Sequence, residues 1–255
     1  MPHVAITRAV SRALERCELT HLERRAIDVE LARTQHAAYE RALREVGCEV
    51  RQLAEQPALA DSVFVEDTAV VLDEVAVLTR PGAESRRGEV ESMGEALAPL
   101  RELRRIEAPG TLDGGDVLRL DRVIHVGASA RSNAEGIGQL RQLVAPFGYR
   151  VEAVSMRGCL HLKSAVTRVA PDLLLVNPDW VDARHFAGYR TLAVDPAEPF
   201  AANAILIGGT VLYSASFPAT AERLRRAGIE VRLVDMSETE KAEGAMTCCS
   251  VILEA

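Results

Sequence analysis

"VIHVGASARSNAEGIGQLRQLVAPFGYRVEAVSM", residues 123–156, carries the pattern that decides the fold. A short apolar run opens it and a loop of small residues follows. A stretch with helical spacing comes next, then a strand-like run. Ile137, Leu140 and Val144 recur at intervals of three and four, which places them on one face of a helix. Gly148 stands just after the helical stretch, where a left-handed residue is expected.

The same order recurs along the chain. "VAITRAV" leads to the helical "LARTQHAAYERALREVG" and the strand-like "CEVRQLA". "VAVLTRPGAESRRGE" leads to "VESMGEALAPL" and "LRRIEA", and "AILIGGTVLYSASFP" leads to "ATAERLRRAG" and "IEVRLVDM". Between them "DLLLVNPDWVDARHFAGYRTLAVD" reads as a degenerate copy. In the first unit Leu31, Ala38, Ala42 and Val46 form the apolar stripe, widened by Leu43, and Gly47 and Gly228 end their helices as Gly148 does. Repeated α/β units suggest internal pseudo-symmetry. A plain doubly wound sheet would use the same elements. With no linker or low-complexity tract, residues 1–255 read as one domain.

The 255 residues are 48% hydrophobic and 26% charged, an ordinary soluble composition with enough chain for a large core. A formal net charge of −7 gives no overall basic field for nucleic acid. No stretch approaches the roughly 18 apolar residues of a membrane span, and the first residues lack a leader pattern. The expectation is a cytoplasmic protein with no membrane partner. Five cysteines without a CxxC pair suit neither a disulfide framework nor a zinc site.

The residues that carry chemistry sit at the ends of the apolar runs. Asp113 and Asp116 flank two glycines in "TLDGGD", a favoured turn composition. His161 lies between two leucines and reads as part of an apolar strand; facing a cavity, it would be a general acid or base near neutral pH. Cys248 and Cys249 precede the last apolar run, and on a strand they would face opposite sides of the sheet. Cys, His and a carboxylate far apart in sequence are the parts of an activated thiol site. Two segments are densely charged: "DSVFVEDT", residues 61–68, and "TRPGAESRRGE", residues 79–89. Each is a solvated surface or part of a pocket for a ligand both cationic and anionic.

Taken in order, "DSVFVED", "TRPGAESRRGE", "EAPGTLDGGD", "GASARSNAEG", "HLKS" and "EGAMTCCSVIL" closely resemble the dimethylarginine dimethylaminohydrolase family from about Val4 to the C-terminus. The resemblance implies the pentein fold, a five-bladed α/β propeller of ββαβ-type modules around a central active site. It implies hydrolysis of Nω-methylated arginine to citrulline and dimethylamine or methylamine, through a thiouronium on a cysteine. By motif position it makes Cys248 the nucleophile, His161 the general acid/base and Asp113 the carboxylate beside it. Asp61, Glu66 and Asp67 match the acidic substrate-binding set, Arg86 and Arg131 the arginines at the amino-acid end, and Leu19 and Ala242 the main-chain contacts. Glu84, Arg87 and Glu89 read as solvated charges.

The chain departs most from the family pattern in "CELTHLERRAID" and "EGAM", around Leu19 and Ala242. The implied partner is a small molecule, with no cofactor and no metal required, in a monomer or homodimer. Arginine deiminases and amidinotransferases share the same Cys, His and acid logic. A non-catalytic, ribosome-associated pentein would lack the Cys-His pair, and a cationic amino-acid binder would explain the acids but not the thiol.

Overall fold

The first module runs β1 (His3–Arg8), α1 (Val29–Glu45) and β2 (Cys48–Leu53). The second is β3 (Ala69–Val71), β4 (Val75–Leu78), α2 (Val90–Leu97) and β5 (Glu102–Arg105). The third is β6 (Val117–Leu120), β7 (Val123–Ala128), α3 (Ala134–Val144) and β8 (Arg150–Ser155). The fourth opens with the one-turn α4 (Leu162–Ala165), then β9 (Val166–Ala170), β10 (Leu173–Val176) and β11 (Arg190–Ala193). The fifth is β12 (Ala204–Ile207), β13 (Thr210–Ser214), α5 (Pro218–Arg226) and β14 (Glu230–Val234). After α6 (Ser237–Glu240), β15 (Val251–Glu254) returns to pair antiparallel with β1 and completes the first module. This is a computed structural model, and it describes residues 3–254.

Five three-stranded sheets result, each with an antiparallel pair followed by a parallel third strand, as in β3-β4-β5. The parallel step needs a crossover, which the helix supplies. In the fourth module a 3₁₀ turn, Ala183–Phe186, replaces that helix, which is why its sequence looked degenerate. The innermost strands β3, β6, β9, β12 and β15 line one central channel of about 480 Å3. Five sheets around a common channel form the propeller the sequence led us to expect. No helix among the described residues is long and apolar enough to cross a membrane.

Each core lies between neighbouring sheets, so most strands are buried on both faces. Val4 and Ile6 pack into one cluster with Leu78 and Met93, while Ala5 between them packs into another with Tyr39 and Leu43. Leu173 and Leu175 likewise face one core, and Leu174 and Val176 the next. A strand buried on both faces needs an apolar residue at every position, hence the continuous runs.

Gly47, Gly148 and Gly228 adopt φ of 100°, 80° and 81°, as expected of residues that end helices. The third helix buries Ile137, Leu140 and Val144 as its spacing predicts. The first does not bury the stripe expected. Leu31 is exposed and Ala38 only partly buried, whereas the buried face carries Ala32, Gln35, His36, Tyr39, Glu40, Ala42 and Leu43. Polar residues are tolerated there because Glu40 accepts hydrogen bonds from Thr7 at 2.6 Å and Gln52 at 2.8 Å.

Candidate active site

The five junctions that precede the innermost strands carry the chemistry. Glu66 and Asp67 lie in a 3₁₀ turn, Val65–Thr68, before β3. Asp113 and Asp116 bracket Gly114 and Gly115 before β6. His161 and Lys163 come before β9, and Asn203 directly before β12. Thr247 and Cys248 lie in a 3₁₀ turn, Thr247–Cys249, before β15. Because the innermost strands surround one channel, their starting ends bring these residues together.

Two local expectations need correction. His161 is not within a strand; it has extended backbone and caps the start of α4. Cys248 and Cys249 are not on a strand either, but in the 3₁₀ turn ahead of it. Their environments still differ: Cys248 is partly buried and borders a cavity, whereas Cys249 is fully buried in the core around Tyr39 and Met246.

That cavity is small, about 20 Å3, and is bounded by Asp61, Asp67, Arg86, Arg131, His161, Ala242 and Cys248, with Glu18, Phe64, Leu160, Glu243 and Gly244. Seven of the ten residues singled out from the sequence therefore meet around it. Asp113 stands behind His161, with Oδ2 at 3.0 Å from Nε2, and Asp67 Oδ1 lies 3.9 Å from the same nitrogen. Gly115 makes this possible. A Cβ there would come within 2.6 Å of His161 Nδ1 and 2.8 Å of Asp67 Oδ1, and its N–H donates to Asp67 at 2.9 Å.

The electrostatics set the resting protonation states. Burial works against an imidazolium at His161, but Asp67, the hydrogen bond to Asp113 and the nearby Asp116 outweigh it and push its pKa up to about 9. Burial also opposes the charge on Asp67, yet His161, Arg86 and the Gly115 N–H hold it well below the usual carboxylate range. The Cys248 thiol is pushed far up, first by burial and then by the negative charge of Glu66 and Asp67. Both directions favour a neutral thiol beside a protonated histidine. Asp67, Asp113 and His161 offer atoms within 4.8 Å of one another, a spacing that could hold a cation. With His161 Nε2 at 3.0 Å from Asp113 Oδ2, the trio forms a charge-assisted hydrogen-bonded group.

A model of the family described as "N,N dimethylarginine dimethylhydrolase, eukaryotic" matches residues 15–193. The N(G),N(G)-dimethylarginine dimethylaminohydrolase of Streptomyces coelicolor is 43% identical over 98% of this chain and 96% of that protein. This chain belongs to the dimethylarginine dimethylaminohydrolase family. The Pseudomonas aeruginosa enzyme of the same name is 35% identical over 88% of this chain and 89% of its own. A solved structure of a Pseudomonas aeruginosa family member, a cysteine-to-serine mutant complexed with citrulline, superimposes with a TM-score of 0.94 at 33% identity. It covers 99% of this chain and 100% of that one. The N-terminal domain of the arginine dihydrolase ArgZ shares the fold, with a TM-score of 0.88 at 18% identity over 100% of this chain and 98% of that one.

Within the family frame, three of the residues singled out from the sequence lie elsewhere. Asp113 is in the layer behind the cavity. Leu19 is half-buried and packs its side chain against the core around Tyr39. Glu66 borders the central channel instead, with Oε1 at 2.5 Å from Lys163 Nζ and Oε2 accepting from Thr247 Oγ1 at 2.7 Å.

Sequence reasoning missed the partners of these groups. Asn203 accepts from the Thr247 N–H at 2.9 Å and donates to the Lys163 carbonyl at 3.0 Å, so the turn carrying Cys248 is tied to two other junctions. Asp116 accepts from the Leu162 N–H at 3.0 Å and from Ser132 Oγ at 2.7 Å, which seats the helix that His161 caps. Burial pushes Asp116 up to about 6 against these bonds and the His161 charge. A polar residue within four positions of an apolar strand start was the available signal for Lys163, Asn203 and Thr247.

The arginines also separate. Arg86 is buried, its Nη1 at 2.5 Å from Asp67 Oδ2 and its Nε and Nη2 on both oxygens of Glu89, at 3.1 and 2.8 Å. Nη2 also donates to the Phe64 carbonyl at 2.8 Å. Glu89 is thus buried and paired, not solvated as expected, because the 3₁₀ helix Glu84–Glu89 eclipses residues three apart. The exposed pair Arg87–Glu84, at 2.9 Å, does match the solvated reading. Arg131 is less committed, with Nη2 donating to Thr20 Oγ1 at 3.3 Å and Nη1 at 3.9 Å from Asp113.

Breaking a buried ion pair leaves uncompensated charge, at about 3 kcal/mol or more. Arg86→Ala is therefore expected to lower the free energy of unfolding by about that much in denaturant titration. An unchanged midpoint would mean that Arg86 does not support Asp67 and Glu89 in solution.

Proposed function

We propose that this chain hydrolyses Nω-methylated arginine to citrulline and a methylamine, with residues 1–255 acting as one catalytic unit. The observation that carries the reading is the cavity where Cys248, His161 and a buried carboxylate set converge. The central carbon of a guanidinium is a poor electrophile, and a thiolate is a suitable attacker. The cationic substrate lets the Cys248 thiol give up its proton to water, Sγ then bonds to that carbon, and His161, already protonated, gives its proton to the departing amine as the C–N bond breaks. A thiouronium remains on Cys248. His161, now neutral, takes a proton from water as the water oxygen bonds to the carbon. The C–S bond then breaks, the new hydroxyl passes its proton back to Sγ, and citrulline leaves with His161 protonated again.

Asp113 orients the imidazole and balances its charge. Asp67 and Asp61 face the cationic end groups of the substrate, while Glu66 acts from the channel side by fixing Thr247 next to the nucleophile. Arg131 takes the α-carboxylate, since it keeps free donors and a planar guanidinium suits a carboxylate. A bound guanidinium also lowers the cost of ionising Cys248 beside Glu66 and Asp67, so the substrate helps generate its own nucleophile. The five cysteines are unpaired, which suits a reducing compartment such as the cytoplasm.

Initial rates on asymmetric dimethylarginine, monomethylarginine, arginine and an alkylguanidine lacking the amino-acid end test this reading. The methylated amino acids are expected to be the best substrates, and faster release of ammonia from arginine would identify a deiminase instead. In Arg131→Ala the preference for the intact amino acid over the alkylguanidine should shrink by about ten- to a hundred-fold, the worth of a charge-assisted hydrogen bond. A full preference retained would remove Arg131 from the carboxylate site.

A further inference from the structure

The site cavity of about 20 Å3 has room for roughly one water molecule. An entire amino acid must nevertheless reach Cys248, so part of the wall has to move. Glu18 belongs to that wall and opens the segment Glu18–Leu22, which has no helix or strand of its own. Asp61 Oδ2 accepts from the Glu18 N–H at 3.2 Å, Ser85 Oγ donates to Glu18 Oε1 at 2.7 Å, and Arg131 donates to Thr20. The remaining anchor is Glu243. Its Oε1 accepts from the backbone N–H groups of Thr20 at 3.0 Å, His21 at 2.5 Å and Leu22 at 2.6 Å, and its Oε2 from Thr20 at 3.1 Å. Three successive N–H groups converging on an anion form a nest, and their bonds to a carboxylate are charge-assisted.

The position of Glu243 is unusual in two further ways. It is one of two non-glycine residues at positive φ among the described residues, at 57°, a left-handed conformation that L side chains avoid. With Leu160 and Gly244 it also forms the wall between the site cavity and a larger neighbouring one of about 220 Å3, which His21 and Leu22 border as well. Asp61 and Arg131 are the groups that a substrate would claim. Besides the single Ser85–Glu18 bond, Glu243 holds the loop by three backbone N–H groups both before and after the substrate takes them.

We propose that the Glu243 carboxylate is the latch of the active site, holding Glu18–Leu22 closed and releasing it to let ligand in and out. Glu243 is then a positioning residue that acts through the loop. The latch itself is independent of the reaction assigned above; only the identity of the ligand rests on that reading. Because a latch acts on the closed state whether or not ligand is present, its loss should speed entry and exit together and leave affinity little changed.

The test combines hydrogen exchange with binding kinetics on Glu243→Gln and Glu243→Gly. Exchange at Thr20–Leu22 is expected to rise by about tenfold or more, the scale of a lost charge-assisted hydrogen bond, while Pro218–Arg226 exchanges as in the parent. Association and dissociation rates of citrulline should rise by similar factors. The glycine variant relaxes the left-handed residue while removing the carboxylate. Parental exchange in that variant would show that backbone conformation, not the latch, holds the loop. Faster exchange with unchanged citrulline rates would show a loosened loop that does not gate the site. Should citrulline fail to bind the parent protein, the assigned reaction falls while the exchange measurement still judges the latch.

Discussion

Cys248→Ser is expected to hydrolyse dimethylarginine on the order of 10⁴-fold more slowly than the parent, while Cys249→Ser keeps most of its rate per folded molecule. The two thiols are adjacent in sequence but not equivalent in place. Cys248 borders the cavity with His161 and Asp67; Cys249 is fully buried beside Tyr39 and Met246. A hydroxyl is a far weaker nucleophile than a thiolate near neutral pH, so the first replacement removes the attacking group. The second buries a hydroxyl in an apolar core and should instead lower stability by about 1–3 kcal/mol. Steady-state rates and denaturant unfolding on both variants separate the two effects, and equal losses of rate would undo the assignment.

The state of the thiol gives this prediction a second edge. Burial and the charges of Glu66 and Asp67 push Cys248 upward, so the empty enzyme should resist alkylation at neutral pH. Alkylation should still be accelerating above pH 9, and an unreactive alkylguanidinium should move the rise to lower pH. A thiol already ionised at pH 7 in the empty enzyme would rule out assistance by the substrate.

His161→Ala should lower kcat by about 10²- to 10⁴-fold, toward the upper end because one residue serves both chemical steps. Rapid-quench measurement should find formation and breakdown of the thiouronium slowed alike. Formation at the parental rate would show that another group protonates the amine. The sign of the pH dependence follows from the raised pKa. In the proposed mechanism histidine is the acid for the first step, and its pKa is pushed up to about 9. In the parent the first step should therefore weaken as pH rises through about 9, and that alkaline limb should vanish in His161→Ala. The limb will be read most cleanly from single turnovers, because the thiol titrates in the opposite sense.

The strands and helix ends were legible because their causes are local. Val75–Leu78 and Leu173–Val176 are apolar at every position since each strand faces two cores, and Gly47, Gly148 and Gly228 stand where a helix must reverse. Residue type was also enough to point to a thiol, a histidine and a carboxylate, because few side chains attack carbon, transfer protons near neutral pH or orient an imidazole; the choice of Cys248, His161 and Asp113 came from motif position in the family resemblance. The buried face of α1 was misread because spacing counts apolar residues only. There, Glu40 is buried by virtue of Thr7 and Gln52, which come from other elements.

Which charge meets which could be decided only by the tertiary structure. Glu66 and Asp67 are neighbours in one short turn, yet one faces Lys163 and the channel while the other faces His161 and the site. Arg86 and Arg131 look alike in sequence, but Arg86 is clamped between Asp67 and Glu89 and Arg131 keeps donors to spare. The sequence by itself therefore determined the repeat, the strand cores and the kind of chemistry, all of which rest on local pattern and side-chain type. The partners in the site arise where five junctions, tens of residues apart, converge. A buried charge is stable only beside the partner that the closed ring supplies, and no spacing along the chain encodes that distance.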